Sequence, residues 1–155
     1  MDTLIEKFYK AFSELDAETM VALYHDDIIF EDPAFGVLHG ERAKNMWRML
    51  CATQKNKDFK VVYSNIKSDG SKGSATWEAF YNFSKTNRKV HNIVTATFQF
   101  QDGKIIKHTD HFNLRTWAKQ AMGFKGFIMG GTAYFKSKLI HNTNNLLTKF
   151  EAHHH

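Results

Sequence analysis

The feature that most constrains the fold of this chain is a change of hydrophobic period near Asn56. Before it, apolar residues recur every three to four positions. After it, they alternate. Leu4, Ile5, Phe8, Ala11, Phe12 and Leu15 predict an amphipathic helix over residues 2–15. Asp16 is placed to cap a second, short helix carrying Met20, Leu23 and Tyr24. Ile28 to Glu31 reads as a short strand stopped by Pro33. Ala34 to Gly40 reads as a loop, and Glu41 to Gln54 as a third helix with Ala43, Met46, Trp47 and Leu50 on one face.

The alternating half is built differently. Phe59 to Ile66 predicts a strand, and Asp69-Gly70 a turn. Ser74 to Ser84 predicts a strand with Trp77, Ala79, Tyr81 and Phe83 on one face. Thr86-Asn87-Arg88 turns the chain back into Val90 to Gln101. Asp102-Gly103 is the strongest hairpin signal present, and it leads to a last strand from Lys104 to Phe112. Helices first and antiparallel strands afterwards define an α+β domain, its helices packed on one face of a curved sheet.

The tail reads less regularly. Leu114 to Met122 predicts a helix with Gly123 as its C-cap. Gly126 to Phe135 is glycine-rich and apolar, which admits a lid, a dimer contact or a membrane-surface patch. Residues 136–150 predict a polar helix with Leu139, Ile140, Leu146 and Leu147. His153, His154 and His155 read as a purification-tag remnant and carry no metal argument.

Composition narrows the function classes. The 155 residues allow one domain with a substantial core. Fourteen phenylalanines point to a ring-rich core or a ring-lined cavity. The net charge of +5 is spread over scattered lysines without a basic block, which argues against nucleic acid. A single cysteine, Cys51, leaves no intramolecular disulfide and fits a reducing compartment. No secretory signal pattern and no apolar run long enough to span a bilayer occur, so the expected location is cytoplasmic.

Two polar clusters stand out within apolar, strand-forming sequence: Phe30-Glu31-Asp32-Pro33 and His108-Thr109-Asp110-His111. A carboxylate facing a core costs several kcal/mol, roughly, unless paired or wet. Either these acids face solvent or they line a pocket.

The order of these residues resembles a known family. Leu23-Tyr24-His25-Asp26-Asp27 and then Phe30-Glu31-Asp32-Pro33, after two helices and before a helix led by Gly40, are similar to the nuclear transport factor 2-like superfamily. That superfamily includes ketosteroid isomerase, SnoaL-like polyketide cyclases and limonene epoxide hydrolase. Asp102-Gly103-Lys104-Ile105 followed by His108 and Asp110 resembles its SnoaL-like branch. The resemblance covers residues 1–123 as one domain and leaves 124–150 as an added tail. It implies a cone, a strongly bent and mostly antiparallel sheet wrapped on the N-terminal helices (a cystatin-like fold), with an apolar pocket and usually a homodimer.

Asp32 falls where ketosteroid isomerase keeps its proton-shuttling Asp. The oxyanion donors of that enzyme would fall at Phe8 and Ala96, and neither side chain can donate a hydrogen bond. Losing one such donor typically costs about 10²–10³ in rate, which argues against steroid isomerisation by that mechanism. Tyr9 is adjacent but lies about 100° round the helix from Phe8. Asp110 sits where the SnoaL-like cyclases carry an acid on the last strand.

Strand parity gathers a candidate site. Ile106, His108, Asp110 and Phe112 share one face, and Asn92, Val94, Ala96 and Phe98 share the neighbouring one. The expected catalytic residues are Asp32, His108 and Asp110, with His108 as general base oriented by either acid. The expected ligand contacts are Trp47, Trp77, Tyr81, Asn92, Phe98 and Phe112. Each has a plainer reading: Asp32 as a turn cap, His108 as a satisfied core histidine, Asp110 as its holder, and the rings as packing. His91 falls on the opposite strand face. Asp32, His108 and Asp110 could form a facial metal set, but their spacing matches no dedicated metal motif.

The reading is a small-molecule-binding SnoaL-like protein of cyclase, isomerase or hydratase type. It takes a small apolar or aromatic ligand and needs no cofactor, since no nucleotide loop or metal motif occurs. The alternative is a non-catalytic carrier or dimeric interaction module on the same fold. Membrane-surface contact through 124–135 ranks last among the partners.

Overall fold

The computed structural model describes residues 2–154. Its elements run α1 (Asp2–Ser13), α2 (Ala17–Ala22), β1 (Tyr24–Asp32), β2 (Gly36–His39), α3 (Glu41–Gln54), β3 (Lys60–Ser68), β4 (Lys72–Phe83), β5 (Arg88–Gln101), β6 (Lys104–His111), α4 (Leu114–Met122), α5 (Phe124–Met129) and α6 (Ala133–His153). The six strands form one sheet in the order β2-β1-β6-β5-β4-β3. All pairs are antiparallel except β1 with β6, where Phe30 stands beside His108 and Glu31 beside Thr109. The sheet curls around the N-terminal helices without closing, which is the expected α+β cone.

The local reasons are visible. Asp16 caps α2 by accepting the Thr19 N–H at 3.2 Å. The Asp102-Gly103 hairpin takes left-handed backbone at both residues (φ 55° and 74°), the geometry that favours this dipeptide between twisted strands. α1 lies against β3 and β4, and α3 lies against β1 and β2. Phe8, Tyr9 and Phe12 of α1 meet Trp47 of α3 and Trp77 and Phe98 of the sheet in one ring-rich core.

Three elements differ from the expectation. β1 begins at Tyr24 and not at Ile28, so Tyr24 belongs to the sheet and not to the second helix. The loop over 34–40 contains the short strand β2. In β6 the buried isoleucine is Ile105, while Ile106 is only half-buried. The β5–β6 register slips between Gln99 and Phe100, and this irregularity inverts the parity below His108.

The tail folds into α5 and α6, joined by a turn over 130–132. α6 lies on α3 and buries Leu147 fully. Thr143 Oγ1 donates to the Ala34 carbonyl at 2.8 Å, and Asn144 Nδ2 donates to the Phe35 carbonyl at 2.9 Å. α6 therefore crosses the turn that follows Asp32. Among the described residues no helix is long and apolar enough to cross a membrane.

Candidate functional site

Four side chains form a directed hydrogen-bond chain inside the cone. Trp47 Nε1 donates to the Tyr24 hydroxyl at 2.8 Å. The Tyr24 oxygen lies 2.7 Å from His108 Nδ1, and His108 Nε2 lies 2.9 Å from Asp110 Oδ1. An indole N–H can only donate and a carboxylate can only accept, so the two ends fix the direction between them. Tyr24 is thus placed to donate to Nδ1, and His108 to donate from Nε2 to Asp110. Trp77 Nε1 gives Asp110 Oδ1 a second, longer contact at 3.4 Å.

The chain is dry. His108 is 0% exposed and Asp110 is 2% exposed. Rings surround the imidazole: Phe98 at 4.4 Å, Phe30 at 5.1 Å, Phe8 at 5.4 Å, and Trp47 stacked at 6.0 Å. The sheet register builds this arrangement. β6 places His108 beside Phe98 on one side and Phe30 on the other, and sets Asp110 beside Ala96.

Asp32 closes the site at its edge. It sits on β1 two residues beyond Phe30, and Asp110 sits on β6 two residues beyond His108, so both carboxyl groups lie toward the same end of the sheet. Asp32 Oδ1 accepts the Ala34 N–H at 2.9 Å and the Phe35 N–H at 2.6 Å, the turn-capping geometry expected before Pro33. Burial nevertheless pushes its carboxyl up to about 7, with the negative charges of Asp110 and Glu31 adding to the rise and the two N–H donors opposing it.

One group in the interior is unsatisfied. The Tyr9 hydroxyl is buried and has no hydrogen-bond partner among the described residues. Burial and the nearby charge of Asp110 push its pKa far up, so it remains a protonated donor. Tyr9 lies inside the cone alongside Phe8, both 0% exposed, because α1 sinks deep enough for two successive positions to be enclosed.

The expected contact residues divide. Trp47, Trp77 and Phe98 are buried around the chain. Asn92 and Phe112 are half-buried. Tyr81, also half-buried, accepts a hydrogen bond from Trp117 Nε1 at 2.7 Å, toward α4. Tyr81 also borders an open hollow of about 650 Å³ with Phe59, Lys60, Phe80, Lys89 and His91. Asp32, His108 and Asp110 are not in its walls. His91 faces outward as expected, stacked on Phe80 at 4.2 Å and bonded to Glu78 at 2.8 Å. Among the described residues no three His, Cys, Asp or Glu side chains gather to hold a metal ion.

Sequence reasoning missed Tyr24 and Tyr9 as site residues. The signal for Tyr24 was its place in the polar run Tyr24-His25-Asp26-Asp27 leading into β1. Tyr9 carried no such signal.

Comparison places this geometry among known folds. No curated protein sequence matches the chain. Its fold is similar to an LEH-like epoxide hydrolase of M. tuberculosis, at 23% identity and a TM-score of 0.59 over 83% of this chain and 89% of that one. It is similar to a proposed polyketide cyclase from Streptomyces antibioticus, at 20% identity and a TM-score of 0.62 over 76% and 95%. It is also similar to a protein of ketosteroid isomerase-like fold from Catenulispora acidiphila in complex with trimethylamine, at 12% identity and a TM-score of 0.62 over 76% and 91%. At such identities these likenesses speak for the fold alone. The SnoaL-like domain family model matches residues 5–108, more than half of the chain, and the chain belongs to that family.

Proposed function

We propose that this SnoaL-like domain is a cofactor-independent acid–base enzyme of cyclase, isomerase or hydratase type, acting on a small apolar or aromatic molecule. The observation that carries the reading is the pairing of two unlike acids. Asp110 is held by His108 and Trp77 in a dry interior. Asp32, at the edge of the same site, has its carboxyl raised to about 7. A group with that affinity takes up and releases protons at neutral pH with nearly equal ease, which suits a general acid or base.

In this reading Asp32 moves the proton. Asp110 and His108 supply the fixed charge and dipole behind it, because both imidazole nitrogens are already committed. The unpaired Tyr9 O–H is the interior donor available to a developing negative charge. The catalytic domain is residues 1–123, and the tail 124–150 borders Asp32 through the α6 contacts to Ala34 and Phe35. The ligand class draws support from the ring-rich interior and from the small organic molecule in the Catenulispora acidiphila neighbour. Two finer points belong to the same reading. A homodimer is what the family resemblance implies, and Ile93 of β5, 57% exposed, is a residue such a contact would cover. A cytoplasmic location is supported by the lone, buried thiol of Cys51.

A second reading, a non-catalytic module, is favoured by the tightness of the rings around His108. Carboxyl titration by carbon NMR separates the two without a known substrate. An Asp32 midpoint near neutrality supports the enzyme, and an ordinary carboxylate midpoint overturns it. Turnover of epoxides and enolisable ketones by the full chain and by Asp32→Asn completes the test. Loss in the variant is expected, and equal turnover by both sinks the assignment of Asp32.

A further inference from the structure

α5 is inverted relative to an ordinary docked helix, which turns its large apolar residues inward and its small or polar ones outward. Gly126 and Gly130, one turn apart, face α4. A Cβ on Gly126 would collide with the Ala118 carbonyl oxygen, and a Cβ on Gly130 would stand 2.6 Å from Ala118 Cβ. Only a glycine face permits so close an approach. The large residues point away from it: Phe124 is 76% exposed, Ile128 56%, Phe127 43% and Met129 42%. An apolar cluster held outward by a close backbone contact is a built surface and not a failure of packing.

The charge around it is of one sign. Arg115 and Lys119, one turn apart on α4, lie 5.7 and 5.3 Å from the Phe127 ring centroid. Lys125 is on α5 itself. From His111 to Phe150 the chain contains no Asp or Glu, while Arg115, Lys119, Lys125, Lys136, Lys138 and Lys149 all fall there. Since the net charge of the whole chain is +5, the remainder is close to neutral and the positive charge is concentrated in this stretch.

We propose that the α4–α5 corner docks on an anionic phospholipid bilayer. Phe124, Phe127, Ile128 and Met129 enter the headgroup region, and Arg115, Lys119 and Lys125 hold the lipid phosphates. Exposed apolar side chains with a basic rim are the pattern of interfacial attachment. A second copy of the chain fits worse. A two-fold contact would set this patch against itself, so basic rim would face basic rim with no acid between them. The inference is independent of the proposed chemistry in the cone.

The test is sedimentation of the full chain with vesicles of phosphatidylcholine alone or mixed with phosphatidylserine. Partitioning about tenfold or more higher onto the mixed vesicles, falling as sodium chloride is added, is expected. The triple variant Phe124→Ser, Phe127→Ser, Ile128→Ser should lose that partitioning with an unchanged circular dichroism spectrum. Arg115→Gln with Lys119→Gln should weaken it and flatten its salt dependence. Failure to bind the mixed vesicles, or equal binding to both kinds, overturns the proposal. So does a fall in solution mass for the serine variant without any vesicle binding, which would assign the patch to self-association.

Discussion

The inside of the cone and the α4–α5 corner each break the ordinary rule of burial, in opposite directions. Inside, His108 and Asp110 are buried among rings. Outside, Phe124 and Ile128 face solvent while glycines occupy the packed side. The two departures are stabilised differently. The interior polar groups are held by mutual hydrogen bonds, each donor matched to an acceptor from Trp47 to Asp110. Outside, Arg115 and Lys119 lie over the Phe127 ring. Removing a piece of the interior should therefore be costly, and removing a piece of the corner should not.

The largest effect is expected at Asp110. Asp110→Ala leaves the His108 Nε2–H and the Trp77 indole N–H without an acceptor in a dry site. Leaving a buried donor unsatisfied costs about 1–3 kcal/mol for each group. Asp110→Asn retains an acceptor oxygen and should cost less. Urea unfolding measures both, and a loss below about 1 kcal/mol for the alanine variant, the level of an ordinary surface change, would mean that the interior tolerates water and that the contrast between the regions is shallow.

Asp32 provides the next effect, with a sign that depends on pH. The folded chain keeps the Asp32 proton up to about 7, whereas the unfolded chain releases it near 4. The folded state therefore binds more protons between those values. The stability linked to this group is full below about 4, declines as pH rises toward 7, and stays low above it. Asp32→Asn cannot ionise and escapes that decline. At about 1.4 kcal/mol per unit, discounted for residual solvent contact and the two backbone bonds, the variant should be about 1–3 kcal/mol more stable than the parent at pH 8 and nearly equal at pH 4. Thermal melts at the two pH values check this. A variant destabilised at pH 8 would show that Asp32 is chiefly a turn cap.

Much of this was legible in the sequence, and the limits are physical. The α3 face, the alternation of Trp77, Ala79 and Tyr81, and the Asp102-Gly103 turn follow from local period and turn chemistry. Tyr24 did not, because its four-residue spacing from Met20 imitates a helical stripe. The pairing of β1 with β6 joins residues nearly eighty positions apart, and no local pattern announces a parallel neighbour. The slip between Gln99 and Phe100 moves burial from Ile106 to Ile105, which a strict two-residue period cannot foresee. By helical spacing Tyr9 lies round the helix from Phe8 and reads as facing away from the cone. The depth of α1 in the cone encloses both, and depth is a tertiary property. Asp32 and Asp110 stand out in the sequence because a carboxyl group in apolar strand sequence demands a reason even before the fold is known.

Gly126 tests the seat of the outer patch. Gly126→Ala forces a Cβ against the Ala118 carbonyl, which is backbone and cannot swing aside. Overpacking of this kind costs about 1–3 kcal/mol, and α5 is short enough to lift away as the cheaper response. Faster amide exchange across 124–129 with little change over β5 and β6 is the expected result. Unchanged exchange would mean that α5 is not held by this contact.

The smallest change in stability is expected where the further inference places function. Phe124→Ser and Phe127→Ser remove rings that are 76% and 43% exposed, the second lying beneath Arg115 and Lys119. Exposed substitutions of this sort usually stay within about 0.5 kcal/mol, so the melting curves should nearly superimpose. A residue whose loss leaves folding unchanged but removes vesicle binding contributes to binding and not to packing. A clear loss of stability in both variants would reverse that assignment, since it would show that the rings already have a partner within the fold. The corner would then obey the same burial rule as the rest of the molecule, and the cone interior alone would depart from it.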